Sequence, residues 1–264
     1  MRRFSAILLL CCLFGAAFPA VSFAASLTPF TGLQSGDLVR GQTFAAVYYL
    51  GRDGFRYVFP NDKTYFTWYA NFNTVKWVSD ADLAKLQIGG NVTYKPGSKM
   101  VKINSDPKVY AVDQNGELRW VTTEEIAIAL YGASWNTKID DVPDAFFGNY
   151  RKGGDVETAS DFVPSDAGAS SPDINHDKDL KAATVLNISD DGYDNASVTV
   201  KAGTPVRWYN MGGVNHTATA DDLTWGTGTI SPNGNFARYF NDVGTYSFFD
   251  SYHPSLTATL VVEP

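Results

Sequence analysis

The stretch GTYSFFDSYHPSL, Gly244 to Leu256, decides how the C-terminal part of this chain is read. Up to Phe249 it has the two-residue period of a half-buried strand. At Asp250 the alternation stops and a polar loop begins, holding Asp250 and His253; alternation resumes in SLTATLVVE. Upstream, TVLNIS, ASVTVKAGTPVRWYN, HTATA and NFARYF repeat the pattern, with KAGT, PNGN and NDVG as turns. Short strands at regular spacing predict an antiparallel sandwich or barrel over residues 184–264. About eighty residues give a compact domain with a modest core.

With the strands placed, residues 184–264 resemble a cupredoxin of the plastocyanin and amicyanin type. VTVKAGTPVRWYN is similar to the strand pair ending near the family's first copper histidine, and NHTATADD carries His216 at that place. GNFARYFNDVGTYSFF is similar to the strand that enters the ligand loop. The family's loop reads Cys, two residues, His, two or more residues, Met. Here that spacing holds Asp250, His253 and Leu256. The resemblance implies an all-β Greek-key sandwich with one copper ion held by His216 and His253. It puts Asp250 in place of the thiolate and Leu256 at the axial position, where it cannot coordinate.

The chain has three histidines, and the third, His176, lies elsewhere. The plainer reading of His216 and His253 is a pair of polar loop residues at one end of a sandwich. Blue copper centres need a short copper–thiolate bond. The only cysteines are Cys11 and Cys12, in a segment read below as a cleaved signal, so an ordinary blue centre is excluded. Two imidazoles and a carboxylate form a harder donor set that favours Cu(II) over Cu(I) and also suits Zn(II). The expected copper complex is nearly colourless, and its affinity falls below about pH 6 because the ligands must be deprotonated. Trp208 and Trp225 are read as core, although they could flank the site. Asp221 and Asp222 are read as turn residues, with extra oxygen ligands as the alternative. No nucleophile–base arrangement, Gly-rich phosphate loop or pair of catalytic carboxylates stands out, so the chain is read as a binding protein and not an enzyme.

Arg2 and Arg3 precede the apolar run FSAILLLCCLFGAAF, and the small residues AVSFAAS follow. That order predicts a secretory signal peptide over residues 1–24. The run is short for a membrane span, which needs about 20 residues. Cleavage leaves no thiol and no membrane span, and moves the formal charge from −7 to about −9. An acidic chain is a poor nucleic-acid binder. The expected location is secreted, periplasmic or cell-surface.

Residues 33–153 contain a repeat. DLVRGQTFAAVYYLGRDGFRYVFP begins at Asp37 and KMVKINSDPKVYAVDQNGELRWVT at Lys99, an offset of 62. Leu38-Val39-Arg40 meets Met100-Val101-Lys102, and Gly54 meets Gly116. After one inserted residue, Arg56-Tyr57-Val58 meets Arg119-Trp120-Val121. RDG and QNG mark hairpin turns, and DKTYFTWYANF and TEEIAIALYG read as helices. The expectation is an α+β unit of two tandem hairpin–helix repeats. Its aromatics read as hairpin core, with sugar stacking as the functional alternative.

Residues 154–183 are rich in Asp, Ser, Ala and Gly and read as an acidic linker. Within them DINHDKD sets Asp173, Asn175, Asp177 and Asp179 at alternate positions, like the opening of a calcium loop. Lys178 stands where that loop needs Gly, and Thr184 where it needs Glu, so a solvated linker is the stronger reading. The whole is expected to be two domains, one an α+β repeat unit and one a cupredoxin-like sandwich. Its expected function is copper handling or electron transfer with a redox or copper-transfer partner protein, and the repeats could meet a cell surface or glycan. A metal-free structural sandwich is the alternative.

Overall fold

The computed structural model describes residues 26–103 and 105–264; the expected signal peptide lies outside the described residues. No helix among the described residues is long and apolar enough to cross a membrane.

The first sheet is built from β1 (Leu38–Arg40), β2 (Tyr48–Leu50), β3 (Arg56–Val58), β4 (Val75–Trp77) and β5 (Ile88–Asn91). Helices α1 (Asp62–Trp68) and α2 (Asp80–Ala84) flank β4 in the chain. The strand order is β4-β1-β2-β3-β5, an antiparallel meander with a parallel strand added at each edge. The second sheet uses β6 (Met100–Ile103), β7 (Asp106–Asp113), β8 (Glu117–Trp120), β9 (Ile139–Asp141) and β10 (Arg151–Lys152). Helices α3 (Glu124–Tyr131) and α4 (Asp144–Phe147) take the same places. Its order and strand senses match the first sheet: β9-β6-β7-β8-β10.

The hairpins correct the expected register. Tyr48 pairs with Val58 and Leu50 with Arg56; Tyr110 pairs with Trp120 and Val112 with Leu118. The offset of 62 therefore runs unbroken through both hairpins, without the inserted residue. Gly54 and Gly116 hold the same turn position at φ 80° and 65°, a left-handed conformation that glycine adopts without strain. Turns of equal length fix equal register. Side chains of Asn61 and Thr123, also 62 apart, cap α1 and α3 by accepting the N–H of Thr64 and Ile126. The hairpin aromatics Tyr49, Phe55, Tyr57, Phe59 and Tyr65 are buried core of the first sheet.

Residues 154–183 are not a solvated linker. They form α5 (Pro164–Ser170) and α6 (Ile174–Asp177). Ile174 and Leu180 complete the core of the first sheet, and Val156, Phe162 and Ala167 that of the second. Asn175 Oδ1 accepts the N–H of Arg52 at 2.8 Å, and Asp177 Oδ1 that of Asn115 at 2.9 Å. The segment thus clips one hairpin turn of each sheet. A few well-placed apolar residues hold it down, which average composition hides. The same contacts remove the calcium-loop alternative. Asp173 caps α6 through the N–H of His176, while Asn175 and Asp177 point their oxygens at different hairpins.

The C-terminal strands are β11 (Thr184–Ser189), β12 (Gly192–Tyr193), β13 (Ser197–Lys201), β14 (Thr204–Asn210), β15 (Thr219–Ala220), β16 (Asn235–Phe240), β17 (Gly244–Phe249) and β18 (Thr257–Glu263). They form two sheets, β12-β11-β14-β16 and β13-β18-β17-β15. The expected purely antiparallel pairing is corrected: β11 runs parallel to β14, and β13 parallel to β18. After β12 the chain changes sheets, so β13 pairs with the distant β18, and β11, hydrogen-bonded to β12 on one side, takes β14 on the other. Alternate residues face inward, giving a core of Leu186, Val200, Trp208, Phe248, Leu260 and their neighbours.

The sandwich is packed against the first sheet and not merely tethered to it. Ala237 of β16 belongs to the first sheet's core, and its backbone exchanges two hydrogen bonds with the side chain of Gln87. Buried Asp53 accepts Tyr57 Oη–H at 2.5 Å and Tyr239 Oη–H at 2.6 Å through the same Oδ2. This carboxylate joins the two parts of the chain.

Candidate metal centre

Two loops at one end of the sandwich make the site. The first leaves β14 at Asn210, a fully buried amide that donates to the carbonyls of Val214 and Ile230 and accepts the N–H of Gly212. The loop is thereby closed before His216, whose backbone bonds in both directions with Ile230. Gly212 leaves room for the contact between His216 and Asp190. A Cβ at that position would stand 2.9 Å from His216 Nε2 and overlap Asp190 Oδ1. The second loop leaves β17 after Phe249. Asp250 N–H donates to Leu256 O, His253 N–H to Asp250 O, and Leu256 N–H to His253 O. These bonds fold Asp250 to Leu256 into a tight turn and return the chain into β18.

His216 and Asp250 are fully buried, and the side chain of His253 is 43% exposed. Asp250 Oδ2 lies 2.7 Å from His216 Nδ1 and 3.0 Å from His253 Nδ1. Asp250 Oδ1 faces protein instead, accepting the N–H of Thr217 at 2.9 Å, that of Tyr252 at 3.1 Å and the Thr217 hydroxyl at 3.3 Å. Burial pushes the Asp250 carboxyl up, but the hydrogen bonds from His216, His253, Tyr252 and Thr217 outweigh it and hold the group below the usual carboxylate range. On the far side of the ring, His216 Nε2 lies 3.1 Å from Asp190 Oδ1. Backbone N–H of Gly213 and the His216 ring hold the Asp190 carboxyl low.

These residues fit a metal ion. The donor atoms of His216, Asp250 and His253 all lie within 4.8 Å of one another. Metal–nitrogen and metal–oxygen bonds of about 2.0 to 2.2 Å put donors at most roughly 4.4 Å apart, so small shifts suffice. Both imidazoles present Nδ1. A ring that gives Nδ1 to a metal keeps Nε2–H, and for His216 that proton has an acceptor waiting in Asp190. A carboxylate behind a metal-binding histidine fixes its tautomer and raises its basicity. Leu256 is half-buried beside this loop and has no donor atom.

All three expected ligand residues are therefore together. Asp190 and Thr217 were not anticipated. Thr217 follows His216 directly, and its position was the only available signal. Asp190 comes from the β11–β12 turn, 26 residues upstream of His216, and no spacing marks it. Trp208 and Trp225 are buried core, as expected. Asp221 and Asp222 are exposed, and Asp222 caps its own turn through the N–H and hydroxyl of Thr224.

No protein-family model matches the chain, and no curated protein matches it. Solved structures similar to part of it are cupredoxins. A point mutant of amicyanin in the Cu(I) form is 26% identical over 31% of this chain and 82% of that one, with a TM-score of 0.29. A purple cupredoxin from Nitrosopumilus maritimus is 19% identical over 30% of this chain and 99% of that one, also with a TM-score of 0.29.

Proposed function

We propose that this chain is an exported copper-binding protein that holds one ion through His216 Nδ1, Asp250 Oδ2 and His253 Nδ1. One observation carries the reading: a single carboxylate oxygen faces the Nδ1 atoms of both imidazoles, at 2.7 and 3.0 Å. A bound copper would supply a Lewis-acidic, one-electron centre without a thiolate. The chain's own residues do the rest. Asp250 Oδ1 stays anchored to Thr217 and Tyr252, so Oδ2 is held in place. Asp190 fixes the His216 tautomer. His253 is the solvent-facing ligand, where an ion or a partner protein would arrive. The donor set favours Cu(II) and gives weak colour. The role is copper handling, with electron transfer as the lesser possibility, and it is binding rather than catalysis. The two five-stranded sheets are read as a duplicated unit that carries the sandwich.

One observation favours a second reading. Both oxygens of Asp250 already have partners among protein groups, so the loop is self-consistent as a metal-free structural element. A Cu(II) titration of the full chain, followed by electron paramagnetic resonance, separates the two. One saturating equivalent, with nitrogen hyperfine structure that changes in His253→Ala, supports the copper site. Weak multi-site binding that ignores that substitution supports the structural sandwich.

A further inference from the structure

Two cavities in the five-stranded sheets share one construction. The first, about 410 Å³, opens between the residues leading into β2, the end of β3 and the start of α1, with Phe146 of α4 on its wall; the second, about 300 Å³, opens between β7, β8 and α3. The correspondence holds at the offset of 62 fixed by the strand register. Val47 in the first floor is Val109 in the second, and Val58 and Phe59 become Trp120 and Val121. At each rim stands the N-cap of a helix, Asn61 or Thr123, followed by an exposed carboxylate, Asp62 or Glu124. Further rings wall each cavity, Tyr65, Phe72 and Phe146 in the first and Trp135 in the second.

The chemistry recurs although most of the residues differ. Each cavity offers an apolar floor, an aromatic wall, one carboxylate and one N-cap. Each N-cap side chain gives an oxygen to its helix; Asn61 keeps its Nδ2–H donors, while the Thr123 hydroxyl also bonds the Glu125 carboxylate. The volumes lie near the low end of the roughly 300–1,000 Å³ of small-molecule sites. In the second cavity Lys108 Nζ sits 4.3 Å from the Trp120 ring centre, which leaves Trp135 as the open ring. Carboxylates at both rims and a formal charge of −7 disfavour polyanionic ligands.

We propose that these cavities are a pair of saccharide subsites for neutral 2-acetamido sugars. The apolar face of a pyranose packs on Phe72 or Trp135. The acetamido methyl reaches the valine floor, and its N–H donates to Asp62 or Glu124. Asn61 Nδ2–H serves a ring hydroxyl or the acetamido carbonyl in the first cavity. Two sites of one design suit a ligand built of repeating units. The inference is independent of the metal centre.

The test titrates the full chain with tetra-N-acetylchitotetraose and, separately, with cellotetraose, which has the same backbone without acetamido groups. Tryptophan emission reads the second cavity and ligand-observed saturation-transfer NMR reads both. Saturable binding is expected, at least tenfold tighter for the acetamido sugar. Glu124→Gln should weaken the tryptophan response about tenfold. Asp62→Asn should lower the saturation transfer and leave the tryptophan response in place. The double variant should lose both signals at an unchanged melting temperature, since both side chains are exposed and the replacements are isosteric. No binding of either sugar, equal binding of both, or a double variant that binds like the native chain would each overturn the proposal.

Discussion

Asp250 Oδ2 is shared between the Nδ1 atoms of His216, at 2.7 Å, and His253, at 3.0 Å. The same contact serves a metal-free loop as a hydrogen-bonded hub and a metal-bound loop as a ligand set. Loss of stability alone therefore says little about metal, and the informative variants separate the two roles.

His253→Ala does so best. The His253 side chain is 43% exposed, so its loss should cost the apo protein less than about 1 kcal/mol. A ligand that binds only the folded state at 100 times its dissociation constant adds about 2.7 kcal/mol. Copper should raise the melting temperature of the native chain and leave His253→Ala unmoved. A copper-induced rise of equal size in both would remove His253 from the site.

Asp250→Ala should behave differently. It strips partners from fully buried His216 and from the N–H groups of Thr217 and Tyr252. Leaving such groups unsatisfied costs on the order of 3 kcal/mol. Urea denaturation of the apo variant should show that loss, and copper should not restore it. A near-neutral Asp250→Ala would mean that the loop is not organised around this carboxylate.

Two buried carboxylates should pull stability in opposite directions with pH. The folded-state value of Asp250 is lowered, so its contribution is present above the unfolded value near 3.8 and is lost as pH falls through the folded one. Burial raises Asp177 to about 6. Its contribution is present below the unfolded value and is lost as pH climbs through about 6. A shift of that size corresponds to on the order of 3 kcal/mol. Asp177→Asn keeps the acceptor for Asn115 N–H and removes the charge. It should raise the melting temperature at pH 7.5 and change it little at pH 4. A variant that is no more stable at pH 7.5 would show that ionised Asp177 is tolerated in its pocket.

Much of the sandwich was legible because inward and outward residues alternate along β13, β14 and β18. Asp250 and His253 were legible because the loop between β17 and β18 carries a recognisable spacing, and His216 because NHTATADD follows the strand pair VTVKAGTPVRWYN. Asp190 was not, because its link to His216 is made by folding and has no counterpart in local sequence. The second hairpin was misaligned because Arg119-Trp120 looks like Arg56-Tyr57; backbone pairing, set by turn length, overrides side-chain likeness. The segment 154–183 was misread because Phe162, Ile174 and Leu180 are few, yet each fills a core. Ile174→Ala measures this directly. Truncating a fully buried isoleucine should cost about 2 to 4 kcal/mol, whereas a true linker residue would cost almost nothing.

Asp250→Cys probes the geometry with a readout that no metal-free loop can mimic. The change puts a thiolate donor between two imidazoles that already face that position. Their Nδ1 atoms are held by the Asp190 contact on one side and by the tight turn from Asp250 to Leu256 on the other. Copper–thiolate bonding in such a trigonal set gives intense colour. With Cu(II), the folded variant should turn blue or green, against a nearly colourless native complex. The added His216→Ala change should abolish the colour. A folded Asp250→Cys chain that stays colourless with copper would mean that the imidazoles are not placed to share an ion, and the self-satisfied structural loop would stand in its place.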